Sequence, residues 1–507
     1  MTTAVKSMHT PSLFRTEKQR FIWGIILSAI SGAMLLLSFP PYGLWPLMWF
    51  AIIPYRYAQY RLLPVKWSSL AEATANLVWL GPFMARMFGM DNGIFFYLLG
   101  VLIAILTFFL SRDRTFHEKT GYRWFILQGA IAWVGFEMIR ATFIPLVATS
   151  AFIGYTQSTQ PWITQPVAIF SVYGLNLLIM LVGFALSQGV IAWSDRNWQV
   201  TDSVPVDSRF SGRSLLVVGV ILLAWLGTSQ VMLRSMPKEM PTVRVAAIQP
   251  GYDLPAFQDE VNTSAKRMAA FADDVRQASS EGAKIIFTPE MLFNFDPQQE
   301  FTDELKALAA ETDSYLMLTY VISIEGQDWR NESVLLSPTG QFSEVYGKNE
   351  IPPGEPYTAT AGVYPVFDTP NGELATMICH DANYTETARK LAANGAQLVS
   401  AGLNEFGGFG EQYWTNVSFR AIENRTAMVV STRENGSAII NPDGSLAALD
   451  LEREKHAVLV GDVTLGSGKA PYTSLGDILG WVSLVGFVGF MFLPSIIDKK
   501  AKKTVEK

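Results

Sequence analysis

Cysteine is almost missing from this sequence: Cys379 is the one thiol in 507 residues. A single thiol excludes an intramolecular disulfide and leaves the compartment open. It also leaves no thiolate cluster for a structural zinc or iron–sulfur centre, so no metal and no cofactor is expected. Charge is scarce too, at 17% of residues, where about 25% is ordinary for a soluble domain. The net charge of −6 offers nothing to a nucleic-acid partner. Internal repeats and low-complexity tracts are lacking. Apolar residues fill the space instead, at 49% of the chain, and mean hydropathy is positive.

That apolar content is gathered in runs. Phe21–Phe39, Leu44–Gln59, Ile94–Leu110, Trp124–Val147, Pro166–Trp193 and Ser214–Leu233 approach or exceed the roughly 20 residues that cross a bilayer as a helix. Trp67–Phe88 is a weaker candidate, carrying Glu72, Asn76 and Arg86, and Leu475–Pro494 is a last span. Lys6, Arg15, Lys18 and Arg20 precede the first run, and Lys499, Lys500, Lys502 and Lys503 follow the last. The positive-inside rule puts both ends in the cytoplasm and requires an even number of spans. About eight spans also place the basic stretches 56–66, 112–123 and 196–213 inside. The expected organisation is a cytoplasmic tail (1–20), a seven-helix membrane region (21–234), an extracytoplasmic domain (235–473), a last transmembrane helix (474–496) and a basic cytoplasmic tail (497–507).

The region 235–473 reads as α/β. Apolar, β-branched runs recur at 243–248, 284–287, 315–322, 333–336, 374–378, 397–400, 428–431 and 457–463, alternating in places with helical stretches such as 260–280 and 385–394. Such alternation predicts sheets covered by helices.

Cys379 stands at the end of one of these runs, in "MICHDANY". Cys-His-Asp looks like a nucleophilic triad written contiguously. Side chains alternate sides along a strand, however, so Cys379 and His380 are expected to face apart, with Cys379 and Asp381 on one side. His456, the other histidine of this domain, sits in no recognisable motif, which points to a carboxylate base. Position alone is equally compatible with a small buried hydrophobe. Two other strand ends change the balance. "IIFTPEMLF" places Glu290 just past a strand, and "VYGKNEIPPGEPY" places Lys348 and Glu355 in a loop too rich in Gly and Pro to be regular. A Glu can take a thiol proton, while a Lys ammonium favours thiolate and stabilises the oxyanion of carbonyl attack.

Glu in "TPEM", Lys in "YGKNEIPPGE" and Cys in "ICHD" resemble, in order and spacing, the Glu–Lys–Cys signature of the nitrilase (carbon–nitrogen hydrolase) superfamily. Beyond this domain, "SFPPYGLWPLMWFAIIP", "WVGFEMIRATF" and "GYTQSTQPW…VYGLNLL" look like membrane-domain motifs of apolipoprotein N-acyltransferases, as does "SFRAIENRTAMVVSTRENGSAIINPDGS" within it. The resemblance covers nearly the whole chain. It implies an integral membrane helical bundle of about eight transmembrane helices carrying an extracytoplasmic nitrilase-like αββα sandwich. It also implies two-step acyl transfer in a bacterial inner membrane. Cys379 would take an acyl chain from a membrane phospholipid as a thioester. A diacylated apolipoprotein would then accept that chain on the amino group of its diacylglyceryl-cysteine. On this resemblance Glu290 is the base, Lys348 the oxyanion partner and Glu355 the carboxylate orienting the lysine. The lipid bilayer is the working surface and a monomer is expected.

Three segments depart from the family pattern. Cys-His-Asp stands for Cys-Tyr-Glu, so Asp381 takes the place of a glutamate and His380 of a tyrosine. The Lys-to-Glu loop is one residue shorter. "LNEFGGFG", with Asn404, Glu405 and Phe406, stands for Asn-Asp-x-Trp-Phe. His380, Asn404, Glu405 and Phe406 are the candidate substrate contacts. The alternatives left open are a membrane-anchored amidase or acyltransferase acting on another amine, and a catalytically silent binding relative.

Overall fold

The computed structural model describes residues 16–505 apart from 88, 112, 146, 199–202, 238, 252–261, 324–327 and 406–407. Phe406, Lys6 and Arg15 therefore lie outside the described residues. The chain divides into two compact units, one of residues 1–136, 176–224 and 482–507, the other of 137–175 and 225–481.

The first unit is helical. Thr16 caps the helix Glu17–Ser38 reciprocally with Gln19: the Gln19 amide donates to Thr16 Oγ1 at 3.1 Å and the Thr16 amide to Gln19 Oε1 at 3.2 Å. Small residues set the helix crossings. A Cβ on Gly32 would lie 2.4 Å from the Ala75 carbonyl oxygen, and one on Gly100 would lie 2.7 Å from Gly81 Cα. Only glycine lets Glu17–Ser38 and Gly89–Leu110 come that close to Leu70–Met87. The stretch Leu44–Gln59 is not one helix. Pro46 and Pro54 each start a new short piece, giving a 3₁₀ turn at Trp45–Trp49 and helical turns at Ile53–Tyr57 and Ala58–Leu62. Among the described residues, Glu17–Ser38, Val167–Asn197 and Ser208–Arg234 are long and apolar enough to cross a membrane, with Ile478–Pro494 a shorter apolar helix. Leu216, Leu223 and Val485 are each about 70% exposed, a surface suited to hydrocarbon rather than water.

The basic stretches are more than topology markers. Arg56 Nη1 donates to Asp113 Oδ2 at 2.7 Å, and Arg61 forks onto Asp195 at 2.6 and 2.7 Å. Arg114 Nη1 donates to the Gln59 and Leu63 carbonyls at 2.8 Å each. All three arginines are buried, so each cross-links the helix ends it joins.

Among the described residues the second unit contains twelve strands. They are β1 (Thr242–Gln249), β2 (Ile285–Phe287), β3 (Tyr315–Ile322), β4 (Arg330–Leu336), β5 (Tyr346–Gly347) and β6 (Phe367–Thr369). Then come β7 (Gly372–Ile378), β8 (Leu398–Leu403), β9 (Ala427–Thr432), β10 (Ser437–Ile440), β11 (Leu446–Asp450) and β12 (Ala457–Thr464). They form two six-stranded sheets, ordered β12-β1-β2-β3-β4-β5 and β11-β10-β9-β8-β7-β6. The centres, β1-β2-β3 and β7-β8-β9, are parallel, and antiparallel strands flank them.

Why two sheets pack face to face is written in β1. Val245 and Ala247 join the core between the sheets with Ile285, Phe287, Leu374, Leu398 and Val429. Their neighbours Ala246 and Ile248 point the other way, into a core shared with Phe271, Val275 and Leu308 of the helices Asn262–Ser280 and Thr302–Thr312. A strand buried on both faces reads as an unbroken apolar run. The second sheet has the same arrangement, with Leu391 of Thr385–Ala393 and Val417 of Gly408–Asn424 against Met377 and Val399. The result is an αββα sandwich. All eight expected strands are present. Strands β5, β6, β10 and β11 are additional, each too short to announce itself by periodicity.

This unit is larger than the expected 235–473, because 137–175 packs into it. Thr149 Oγ1 donates to the Asn383 carbonyl at 2.6 Å, and Gln165 Nε2 to that of Asp443 at 2.9 Å. The Val172 amide donates to Glu423 Oε1 at 2.8 Å, just past the kink at Ser171 in the helix Val167–Asn197.

Candidate active site

The strand ends of both sheets meet at one place. Glu290 follows β2, Lys348 follows β5, Cys379 follows β7, and Asn404 and Glu405 follow β8. The approach is close because β8 carries Gly402, where a Cβ would sit 2.9 Å from the Thr288 carbonyl and 3.2 Å from the Glu290 amide. Any side chain there would push the glutamate loop away from the cysteine strand.

Lys348 is completely buried and donates to Glu290 Oε1 at 3.0 Å and Glu355 Oε2 at 2.6 Å. Burial alone would discharge the ammonium, but the charges of Glu290, Cys379 and Glu355 outweigh it and hold the lysine protonated well above its ordinary range. Glu290 also accepts from Asn331 Nδ2 at 2.8 Å. Burial pushes its carboxyl up; the Lys348 charge and the bonds from Asn331, Lys348 and Cys379 overcome that and leave it below the usual range. At neutral pH this is a carboxylate paired with an ammonium.

Cys379 adopts φ +48°, a left-handed conformation that costs a non-glycine residue about 1–3 kcal/mol. The strand alternation used to orient its neighbours therefore stops at Ile378; Cys379–Asn383 is a 3₁₀ turn that sends three side chains three ways. Sγ donates to Glu405 Oε1 at 3.3 Å. Burial raises the thiol well above its ordinary range, as do the charges of Glu290 and Glu405, against the opposing charge of Lys348. At rest Cys379 is a thiol, so any attack by its sulfur would need a base in the same step.

Asp381 does not share the cysteine's surroundings, as strand geometry suggested. It is fully buried and accepts from the amides of Ile378 (2.9 Å), Asn349 (3.0 Å) and Glu350 (2.7 Å), and from the Tyr346 hydroxyl (2.6 Å). It thus ties the lysine loop to the cysteine turn. Burial lifts its carboxyl to about 6 against the pull of those donors.

His380 faces elsewhere. Its Nε2 donates to the Pro145 carbonyl at 2.8 Å and its Nδ1 takes a 3.2 Å bond from Asn383 Nδ2, a neutral tautomer. Burial lowers its pKa to about 4. His456, the only other histidine in this unit, pairs with Asp274 at 2.7 Å. Asn404 Nδ2 donates to Met291 Sδ at 3.0 Å, while its buried Oδ1 has no hydrogen-bond partner among the described residues.

The structure brings together Glu290, Lys348, Glu355, Cys379 and Glu405. It turns His380 toward 137–175 and gives Asp381 to the backbone. Asn331, Gly402, Tyr346 and Tyr413 escape sequence reading. Asn331 sits in a polar stretch, "RNES", opening an apolar strand, which was a usable hint; the others carry no local signal.

Residues 31–185 match the family model described as the apolipoprotein N-acyltransferase N-terminal domain, and residues 244–470 match carbon-nitrogen hydrolase. An apolipoprotein N-acyltransferase from Geobacter metallireducens is 25% identical over 91% of this chain and 93% of its own. The chain belongs to the apolipoprotein N-acyltransferase family. A second member, from Thermotoga maritima, is 22% identical over 95% of this chain and 96% of its own. Among solved structures, a nitrilase-superfamily amidase from Nesterenkonia matches with 20% identity and a TM-score of 0.38, covering 45% of this chain and 92% of that one. Seen against the acyltransferase family pattern, the shortened Lys-to-Glu loop still spans the 2.6 Å bond from Lys348 to Glu355. Asp381, shorter than the family's glutamate, still reaches four donors.

Proposed function

We propose that this chain transfers an acyl chain from a membrane phospholipid, through a thioester on Cys379, to the terminal amino group of a diacylglyceryl-cysteine lipoprotein. One observation carries the reading. A buried Lys348–Glu290 pair is held at a strained cysteine, in a chain whose residues 31–185 match the apolipoprotein N-acyltransferase N-terminal domain. Both substrates are anchored in a bilayer, so an acyltransferase needs its nucleophile beside the membrane.

In the first step Glu290 accepts the thiol proton as sulfur attacks the ester carbonyl. The Lys348 ammonium stabilises the oxyanion, in surroundings dry enough for one fixed charge to count heavily. Glu355 holds the lysine from its other side. The lysophospholipid leaves, the acyl-enzyme remains, and the lipoprotein amine attacks the thioester in turn. The membrane setting we infer is the bacterial cytoplasmic membrane, crossed by about eight helices, with both termini inside, the sandwich outside, and one copy sufficient. Its support is the basic residues flanking the apolar runs and the lipid-suited surface of the helices.

The test is complementation of a bacterium depleted of its own apolipoprotein N-acyltransferase. Wild type should restore growth and Cys379→Ala should not; equal rescue by both would remove the cysteine from the reaction. Purified protein should acylate a diacylated lipopeptide in preference to simple amines. Preference for another amine would keep the chemistry and replace the acceptor.

A further inference from the structure

A second carboxyl group touches the nucleophile, and the chemistry above has not used it. Glu405 is 7% exposed, and its Oε1 takes the bond from Cys379 Sγ at 3.3 Å. It follows β8 directly, on the sheet that carries the cysteine, whereas Glu290 comes from the opposite sheet. The groups facing it are Cys379, Glu290, Lys348 and the Tyr413 hydroxyl. Tyr413 is itself fixed by a short bond from Asn383.

The two carboxyls are in opposite electrostatic conditions. Glu290 has a lysine ammonium and an asparagine amide on one oxygen. Among the described residues no cation is hydrogen-bonded to Glu405. Burial, together with the Glu290 charge, pushes it up to about 7, against the lowering effect of Cys379, Lys348 and Tyr413. Around neutrality Glu290 is ionised while a large share of Glu405 holds its proton. Two carboxyls driven apart in this way at one reacting centre divide the roles of base and acid.

We propose that Glu405 is a catalytic residue, the general acid that protonates the departing alcohol of the acyl donor. The proposal rests on the acyl-transfer reading above. The balance closes over both steps. On acylation the S–C bond forms and the ester C–O bond breaks. Glu290 takes the thiol proton and Glu405 gives its proton to the lysophospholipid alkoxide, leaving Glu290 protonated and Glu405 ionised. On transfer the N–C bond forms and the S–C bond breaks. Glu405 takes a proton from the attacking amine and Glu290 returns one to the thiolate. Both carboxyls are reset, and no further reactant is needed.

An alkoxide is a poor leaving group and needs that proton; a nitrophenolate does not. Single-turnover thioester formation is therefore measured with a phospholipid and with a p-nitrophenyl fatty ester, on wild type and on Glu405→Gln. General acid catalysis contributes roughly 10²–10⁴-fold, so Glu405→Gln should be slowed about 100-fold or more with phospholipid and less than about 3-fold with the nitrophenyl ester. Because the ratio of the two rates does not depend on how much protein is folded, partial misfolding cannot mimic this result. Equal slowing with both donors, or none with either, would overturn the proposal. Wild type gives a second readout that needs no variant. Its rate with phospholipid should fall as pH rises through about 7, and that limb should be missing with the nitrophenyl ester; a limb common to both donors would overturn the assignment. If wild type forms a thioester with neither donor, the acyl-transfer reading itself fails and takes this proposal with it. A thioester that forms but is indifferent to Glu405 removes only the proposal.

Discussion

The two sheets of the sandwich deliver chemically different things to the same spot. From the first come Glu290 and Lys348, an ion pair so enclosed that neither partner can be discharged without stranding the other. From the second come Cys379 and Glu405, a neutral thiol bonded to a carboxyl group that titrates near neutrality. The sheets resemble each other in topology, with three parallel central strands and helices outside, yet one presents fixed charge and the other movable protons. The difference teaches that burial does not set a group's charge; the partner does. Glu290 and Glu405 are both buried, and a lysine hydrogen-bonded to one of them separates their protonation states.

This contrast can be broken from the first sheet. Glu290→Gln should slow thioester formation about 10³-fold with phospholipid and nitrophenyl ester alike, because the thiol loses its base whichever group leaves. Rapid-quench kinetics checks this, and a donor-dependent loss would show the two carboxyls exchanging roles. Lys348→Met should cost about 3–5 kcal/mol of stability at neutral pH, since it leaves Glu290 buried and unpaired. Denaturant unfolding in detergent measures it. A cost below about 1 kcal/mol would mean the first sheet's charge is not fixed.

The second sheet should respond through pH. The unfolded chain protonates His380 near 6.5, whereas the folded protein resists until about 4. The stability that neutral His380 contributes is therefore complete above pH 6.5, declines as pH falls between those values, and is gone below the lower one. The shift amounts to roughly 3 kcal/mol, and His380→Gln should flatten that slope. An unchanged slope would place the acid sensitivity elsewhere. The smallest effect belongs to Asp381→Asn, which should cost about 2 kcal/mol. An amide oxygen cannot replace a carboxylate shared by three backbone amides and the Tyr346 hydroxyl. The loss should appear in unfolding and in the distance-sensitive rate, with the reactivity ratio between the two donors preserved.

What could be read from the sequence follows from the range of each signal. Strands such as β1 and β3 announce themselves because burial on both faces demands a continuous apolar run. Strand β10 is four residues and β5 two, too short for any period to emerge. Glu290, Lys348 and Cys379 were legible because each sits in a recognisable local motif at a strand end. Asn331 and Tyr413 were not, since their partners Glu290 and Asn383 lie 41 and 30 residues away in the chain. Gly402 belongs with them: its reason is a carbonyl on the other sheet, more than a hundred residues away. The orientation of His380 and Asp381 was inferred from strand alternation, which ends one residue too early, at the left-handed Cys379. In the membrane region, hydropathy found the apolar runs but overlooked that Pro46 and Pro54 divide one of them into separate turns.

The most direct test of the whole account is the mass of the intact protein after incubation with phospholipid and no acceptor. The account predicts an added mass of one fatty acyl group on Cys379, released by neutral hydroxylamine, discharged by a diacylated lipopeptide, and missing from Cys379→Ala. Folded wild-type protein that frees lysophospholipid without carrying that adduct, or an adduct that survives in Cys379→Ala, would contradict it.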